Sequence, residues 1–171
     1  MEFYDVRIIE SENLVLQLEN GSLERPRIDS SVVKSFRVLK NGFWGFFEGD
    51  VDDVEGVRRA ERNAIYKSDS GVVELKTEGS FVMKVRQDPR DAPIEEKLQL
   101  LRDVERSIRD VAISTRVSYL ENVRKLFYRD SCGSEVRYEV VRVGISVFAV
   151  GKGKSLQFYS RRLMKAGGFE V

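Results

Sequence analysis

The sequence predicts an α+β fold, with a largely antiparallel or mixed β-sheet and two main helices packed on one face. Three observations lead to this prediction. Apolar residues alternate with polar ones in short runs near both ends of the chain, which is the period of strands. Two central stretches instead repeat apolar residues every three or four positions, as helices do. Asn-Gly pairs end two of the alternating runs, and this dipeptide favours β-hairpin turns.

The composition is that of one soluble globular domain covering residues 1–171. Hydrophobic residues make up 42% and charged residues 33% of the chain, and no apolar run is long enough to span a bilayer. The formal net charge of +1 gives no overall attraction to nucleic acid or to an anionic membrane. A signal-peptide pattern is absent and the single cysteine cannot form an internal disulfide, so we expect a cytoplasmic protein.

The sequence contains no histidine. Histidine is the commonest general base and the commonest zinc ligand, so its absence excludes histidine-based triads and zincin sites built from this chain. We therefore predict no catalytic, metal-binding or cofactor-binding residue.

The first elements are predicted to be strands. Two alternating runs, Tyr4, Val6, Ile8 and Leu14, Leu16, Leu18, predict two separate strands. The second run ends at Asn20-Gly21, where a type I′ turn is expected because both central residues of that turn need positive φ. Pro26 belongs in a loop or at a sheet edge, since it cannot donate to a strand ladder.

The stretch RVLKNGFWGFFEGD, residues 37–50, predicts a hairpin with its turn at Asn41-Gly42. Alternation points Trp44 and Phe46 to one face of the hairpin and Phe43 and Phe47 to the other. Large aromatic groups on both faces need cover on both sides, by the helices on one side and by a partner on the other. Trp44, Phe46 and Phe47 are therefore candidate contacts for a partner or substrate, although a buried hairpin would give the same pattern.

Two helices are predicted next. A helix over residues 51–66 begins with acids, which cap free amides and oppose the helix dipole, and ends at SDSG. Its apolar stripe is Val54, Val57, Ala60, Ala64 and Ile65.

Short extended segments follow at 72–75 and 81–85, and RQDPRDAP is a polar connection. Pro93 then opens a second helix, whose stripe is Ile94, Leu98, Leu101, Val104, Ile108 and Val111.

The remainder of the chain predicts meander strands. The alternating runs are Val117/Tyr119, Leu126/Tyr128, Val136/Tyr138/Val140, Val143/Ile145/Val147/Ala149 and Leu156/Phe158. A change of phase at Val140-Val141 suggests a bulge.

Three motifs have structural explanations that outweigh the chemical ones. GKGKS, residues 151–155, lacks the first glycine and the following helix of a phosphate-binding loop, so it is interpreted as a hairpin turn. Cys132 in RDSCGS has no histidine to activate it and is interpreted as a turn thiol. The carboxylates of Asp50, Asp52, Asp53 and Glu55 lack the spacing of a calcium loop and fit a helix start.

Two basic groups are interleaved with aromatic residues, at Arg124 to Arg129 and at Arg161, Arg162 and Lys165. This pattern occurs on RNA-binding sheets, but a strand with one buried and one wet face also produces it, and the RNA-binding aromatic signature is missing. Nucleic-acid binding therefore remains the weaker hypothesis.

The order of these motifs resembles the N-terminal domain of the TldD/PmbA family, also called modulators of DNA gyrase. Asp5 and Arg7 match the family's D-x-R strand, and Asn20, Gly21 and Glu24 match the glutamate-flanked turn that ends its next strand. The segment Arg37 to Phe46 matches its vRvl.dG.wGf hairpin. YRDSCGSEVRYEV matches a later strand and turn, with Asp130 where asparagine is common, and AGGFEV matches the close of the domain. The resemblance covers nearly the whole chain.

The resemblance implies a non-catalytic, substrate-enclosing or assembly domain of a zinc metallopeptidase that degrades or matures unfolded peptides, or of its partner subunit. The family's H-E-x-x-x-H zinc motif lies in a C-terminal half that is absent here, so zinc is expected only there. The implied partners are that half or a second subunit in a homo- or heterodimer, with a peptide substrate in the assembly. The alternative is a stand-alone nucleic-acid- or gyrase-associated binding module.

Overall fold

The α+β prediction is confirmed by a computed structural model, which describes residues 2–68, 72 and 75–170 and consists of a mostly antiparallel sheet structure with two helices. The elements are β1 (Phe3–Glu19), β2 (Ser22–Leu23), β3 (Arg27–Lys40), β4 (Phe43–Glu48), α1 (Asp53–Arg62), β5 (Tyr66–Lys67), β6 (Glu78–Val82), α2 (Ile94–Ile108), β7 (Ser114–Asp130), β8 (Glu135–Lys152) and β9 (Leu156–Ala166). Within the described residues no helix is both long and apolar enough to cross a bilayer.

The strands are longer than predicted. The two runs expected as separate strands near the N-terminus form one strand, β1, because they share the same parity and no glycine or proline separates them. The runs at 117–128 likewise form β7, and those at 136–149 form β8. The bulge at Val140-Val141 stays a prediction.

Both Asn-Gly turns are confirmed. Asn20 and Gly21 have φ of 50° and 84°, and Asn41 and Gly42 have φ of 51° and 75°. Positive φ at both central residues is what a type I′ turn requires. Pro26 lies between β2 and β3, outside any strand, as predicted.

The described chain forms two compact units, each built from several stretches of sequence. The first unit draws on residues within 1–11, 31–82 and 124–139, and the second on residues within 12–30, 83–123 and 140–171. The strands β1, β3, β7 and β8 each contribute to both units. The assignment of 1–171 to a single domain stays a prediction.

In the first unit, the strand order is β5-β4-β3-β1-β7-β8-β6, with β6 parallel to β8. Its core joins one face of the sheet to α1. The buried members of this core are Val6, Phe36, Val38 and Ala60. The helix comes close to the sheet because Gly56 lies against the ring of Phe36 and Gly45 lies against the backbone of Ala60.

The first helix is shorter than the predicted range of 51–66. It begins after Asp52, whose side chain accepts a hydrogen bond from the Glu55 amide at 2.9 Å, and it ends at Arg62. Tyr66 leaves the helix because it pairs with Trp44 of β4, forming β5. The predicted apolar stripe is partly wrong as well, since Val54 is 81% exposed. The predicted end at SDSG falls largely on Asp69 to Gly71, outside the described residues.

The second unit contains α2, which begins after Pro93 as predicted. Leu101 is its fully buried anchor and packs with residues of β1, β7 and β8, namely Leu16, Leu18, Val117, Tyr119 and Val143. Val111 does not continue the apolar stripe, because it lies beyond the helix and is exposed. Glu105 of α2 is buried and accepts hydrogen bonds from the Gly21 amide and from the Thr115 hydroxyl, each at 2.6 Å.

The second unit also carries a hairpin made of β8 and β9, whose register runs from Arg142↔Ala166 to Lys152↔Leu156. Residues 153–155 of GKGKS form its turn, and a strand rather than a helix follows them, as predicted. Every residue of β9 is exposed. We call residues 142–166 the basic arm.

Of the two short segments predicted between the helices, the segment at 81–85 is partly confirmed by β6 at Glu78–Val82. The segment at 72–75 includes Val73 and Glu74, which lie outside the described residues.

Candidate functional site

The hairpin of β3 and β4 places its aromatic residues on two faces, as predicted. Directly paired residues share a face of a sheet. Phe47 pairs with Phe36 and lies on the face that carries α1, whereas Trp44 pairs with Leu39 on the opposite face.

Phe47 belongs to the core of the first unit. Its ring stacks on that of Phe36 with centroids 6.0 Å apart, and the Arg59 guanidinium of α1 lies 5.1 Å from its centroid. The helix thus provides the cover that the sequence predicted for this face.

Trp44 and Phe46 lie on the opposite face, where they form an aromatic platform with Phe3 and Tyr66. The ring centroids of Trp44 are 6.1 Å from Phe3 and 6.4 Å from Phe46, and Phe46 is 5.7 Å from Tyr66. The Trp44 indole donates a hydrogen bond to the Ser68 hydroxyl at 3.2 Å. Phe46 remains 47% exposed, so this side of the hairpin offers apolar surface to a ligand.

A buried carboxylate supports the platform. Asp5 has no exposed surface, and its Oδ2 accepts hydrogen bonds from the Nε and Nη2 atoms of Arg37, at 2.8 and 2.5 Å. The Nε of Arg7 lies 3.3 Å from Asp5 Oδ1. A buried carboxylate without a cation would be costly, so the two arginines are required neighbours of Asp5.

Each arginine of this network also stacks on an aromatic ring. The Arg37 guanidinium carbon is 5.4 Å from the centroid of Trp44, and that of Arg7 is 5.5 Å from the centroid of Tyr128. The Tyr128 hydroxyl donates to Asp130 at 2.9 Å, and burial, with this hydrogen bond second, raises the pKa of Tyr128. Tyr128 is therefore a neutral hydrogen-bonding group at ordinary pH.

A cavity of about 450 Å³ adjoins this network within the first unit. Its lining includes Phe3, Arg37, Trp44, Thr77 and Tyr128. The walls combine aromatic rings with hydroxyl groups, and this suits an apolar or aromatic side chain carried on a polar backbone. The alternation in the sequence predicted Trp44 and Phe46 as contacts but gave no role to Asp5 or Arg37.

Three of the acids singled out in the sequence, Asp52, Asp53 and Glu55, have structural partners, as does the cysteine. Asp52 caps α1, and Asp53 forms ion pairs with Lys34 at 2.9 Å and with Arg129. The amide of Cys132 donates to Asp130 at 2.9 Å within a turn. Across the part of the chain that the structure describes, no group of three Cys, Asp or Glu residues could hold a metal ion.

The two basic groups differ in their surroundings. In the first, Lys125 lies 4.0 Å from Glu10, and Arg129 is paired with Asp53. In the second, Arg161, Arg162 and Lys165 lie on the exposed strand β9, and no described residue forms an ion pair with any of them. Of these two groups, the one whose described cations are exposed and unpaired is therefore the one on the basic arm.

These features define an α+β module with an exposed aromatic platform and a basic arm, built from a sequence without histidine. Two domain models of a single family match the sequence, one after the other along the chain. The model described as PmbA/TldA metallopeptidase domain 1 matches residues 4–66, and that of the PmbA/TldA metallopeptidase central domain matches residues 87–171. The chain belongs to the PmbA/TldD metallopeptidase family, which confirms the resemblance drawn from the sequence.

Curated relatives support this membership. A metalloprotease of Archaeoglobus fulgidus is 57% identical over 171 residues, and one of Methanothermobacter thermautotrophicus is 27% identical over 177 residues. Both alignments cover the whole of this chain but 40% and 39% of the relatives. The chain thus spans about two fifths of the length of the curated relatives it matches.

Solved structures share the fold. A putative modulator of a DNA gyrase from Thermotoga maritima superposes with a TM-score of 0.73 at 16% identity, over 99% of this chain and 40% of its own. TldE from Thermococcus kodakarensis superposes with a TM-score of 0.65 at 16% identity, over 97% of this chain and 40% of its own.

Proposed function

We propose that this chain is a non-catalytic, substrate-enclosing and assembly module of a PmbA/TldD-type metallopeptidase, or of its partner subunit. The observation that carries the proposal is the match to two family domains in a sequence without histidine. The catalytic residues would then come from polypeptide outside this sequence, either a C-terminal half or a second subunit. The working assembly would be a cytoplasmic homo- or heterodimer acting on unfolded peptides.

The residues of this chain do not fit a resident zinc ion. Structural and catalytic zinc sites use three or four Cys, His, Asp or Glu ligands. No such group lies among the described residues, and histidine is absent from the whole sequence. We therefore assign any zinc to the catalytic half of the assembly.

Two kinds of surface support the enclosing role. The aromatic platform offers apolar side chains beside polar groups, which suits contact with a peptide or with a neighbouring domain. The strands β6 and β9 each have one edge with which no described strand pairs. Open strand edges bind extended peptides through their backbone with little dependence on sequence.

A chimera with the relative from Archaeoglobus fulgidus tests the proposal, because the identity of 57% allows this chain to replace the matching region. We expect metal-dependent cleavage of an unfolded protein by the chimera and none by the 171-residue chain alone. The measurement is the release of fluorescent fragments from labelled casein, with and without added zinc and with a chelator.

The intact Archaeoglobus protein and its separately expressed remainder are the controls. Turnover by the isolated chain would refute the non-catalytic role. A folded chimera that stays inactive while the intact relative cleaves casein would refute the enclosing and assembly role.

A further inference from the structure

The basic arm concentrates positive charge. Residues 142–166 contain six lysines and arginines and no acid, although the whole chain has 29 basic and 28 acidic residues. On β9 itself, Arg161, Arg162 and Lys165 are exposed and have no ion-pair partner among the described residues. The field of these cations is therefore available to a ligand.

The same strand has a free backbone edge. Gly167 donates to the Val141 carbonyl at 3.0 Å, and Gly153 donates to the Ser155 carbonyl at 3.1 Å. These bonds mark both ends of the β8–β9 ladder, in which hydrogen-bonded pairs recur at every second residue. The amides of the intervening residues on β9 therefore point away from β8, and they belong to Leu156, Phe158, Ser160, Arg162, Met164 and Ala166.

Apolar side chains flank the edge on both faces of the strand. Phe158 is 70% exposed, and Tyr159 and Leu163 are more than half exposed. A long, exposed, apolar edge strand is a template for another strand. Successive side chains of an added strand would meet Arg162 on one face and Arg161 and Lys165 on the other.

We propose that β9 binds an extended acidic segment of another polypeptide by strand addition. Its backbone would complete the outward ladder, and its Asp and Glu side chains would face the three cations. The polypeptide nature of the ligand rests on the proposed function, and the acidic selectivity goes beyond it.

Charge and hydrogen bonding favour an acidic peptide over the other occupants. A second copy of β9 in antiparallel pairing would bring two sets of three cations together without a counter-charge, and like charges across a sheet are destabilising. A nucleic acid would satisfy the cations but leave the outward amides and carbonyls of the strand unpaired.

Peptide binding to the full 171-residue chain tests this proposal. The probe is a fluorescent peptide of about ten residues in which Glu-Glu pairs alternate with Val-Thr pairs, so that Glu lies on both faces of the added strand, and its control replaces each Glu by Lys. We expect fluorescence anisotropy to show saturable binding of the acidic peptide, at least about tenfold tighter than that of the lysine peptide at low salt. Methylating the amides at alternate positions should abolish binding in one alternating set and leave it intact in the other.

Two variants locate the site. Arg161→Glu with Arg162→Glu should weaken acidic-peptide binding about tenfold, whereas the matched change Arg25→Glu with Arg27→Glu, at exposed positions outside the arm, should leave it unchanged. Ser160→Pro removes an outward amide without touching the β8 ladder and should also abolish binding. Circular dichroism and urea unfolding establish that each variant is folded.

Equal affinity for the acidic and lysine peptides would overturn the proposal, as would insensitivity to both sets of methyl groups. Tighter binding of a twenty-base single-stranded DNA, lost in the Arg161/Arg162 variant, would overturn it in favour of nucleic acid. If the chain binds the acidic peptide selectively but the chimera is inactive, this inference stands and the proposed function fails. If the chimera is active but the chain does not select the acidic peptide, the proposed function stands and this inference fails.

Discussion

Asp5 is the residue on which the non-helical face of the first unit depends. Its carboxylate is fully buried and is balanced by Arg7 and Arg37. Asp5→Asn keeps the shape and leaves the two guanidinium groups without a counter-charge. Because both arginines are about one third exposed, we expect a loss of about 3 kcal/mol in the free energy of unfolding, measured in urea.

Asp103→Asn is the matched control for this prediction. Asp103 is exposed and pairs with Arg106 at 3.1 Å on the surface of α2. Exposed pairs contribute little, so this change should cost less than about 0.5 kcal/mol. Equal costs for the two variants would contradict the central place given to Asp5.

The three candidate contact residues have different expected roles. Phe47 packs into the core, and its truncation to alanine should cost about 3 kcal/mol of unfolding free energy. Phe46 is nearly half exposed, so Phe46→Ala should cost less than about 1 kcal/mol and should instead weaken association in the assembled peptidase. Urea unfolding and the casein assay on the chimera measure the two effects.

Trp44 is intermediate between Phe46 and Phe47, because it is partly buried. Its indole donates a hydrogen bond to the Ser68 hydroxyl, and the Arg37 guanidinium stacks on its ring. We rank Trp44→Ala between the two phenylalanine variants in stability. A Phe46→Ala variant that unfolds as readily as Phe47→Ala would show that the platform is core and not a contact surface.

At the scale of elements, the contact of α1 with β4 depends on a missing side chain. A Cβ atom at Gly45 would meet the Ala60 carbonyl and would lie 2.7 Å from the Ala64 amide nitrogen. Gly45→Ala should therefore displace the helix and cost about 3 kcal/mol in urea unfolding. Gly79→Ala on β6 is the control, because that position is open and lacks positive φ, and it should be neutral or slightly stabilising. If Gly45→Ala were equally mild, the helix would not be seated as described.

Local signals predicted most of these elements and missed those that depend on distant residues. The Asn-Gly turns and the proline before α2 act within a few residues, so the sequence revealed them. The end of α1 did not follow from its own stretch, because Tyr66 is drawn into a strand by pairing with β4. The apolar residues of the two alternating runs in β1 all lie at even positions, which is consistent with one long strand. The polar residues at 10–13 interrupt this alternation, so two strands were predicted instead of one.

The candidate site follows the same rule. Alternation along β4 correctly put Trp44 and Phe47 on opposite faces, because that pattern is local. The link between Asp5 and Arg37 joins positions 32 residues apart and depends on β1 and β3 being neighbours. The basic arm was visible in sequence as three cations, but only the ladder at its ends shows which amides of β9 are free.

At the scale of the whole molecule, the near-zero net charge conceals a separation of charge along the sequence. The basic arm holds six of the 29 basic residues and none of the 28 acids, which leaves 23 basic against 28 acidic residues elsewhere. The net charge is therefore a poor guide to how this chain binds charged surfaces. At about 0.1 M salt the Debye length is about 10 Å, so binding depends on local clusters of charge.

Ion exchange at pH 8.5 tests this separation. The pI of about 7.8 makes the chain negative overall at that pH, and a uniform charge distribution would let it pass through a sulfonate cation exchanger. We expect retention at low salt and elution as salt screens the cations of the arm. The Arg161→Glu/Arg162→Glu variant should flow through. A net change of four charges lowers retention wherever it is made, so a control of equal net charge is needed. The Arg25→Glu/Arg27→Glu variant has the same net charge and an intact arm, and its retention would assign the effect to position and not to total charge. Equal behaviour of the two variants would mean that the cations of β9 do not act as one surface.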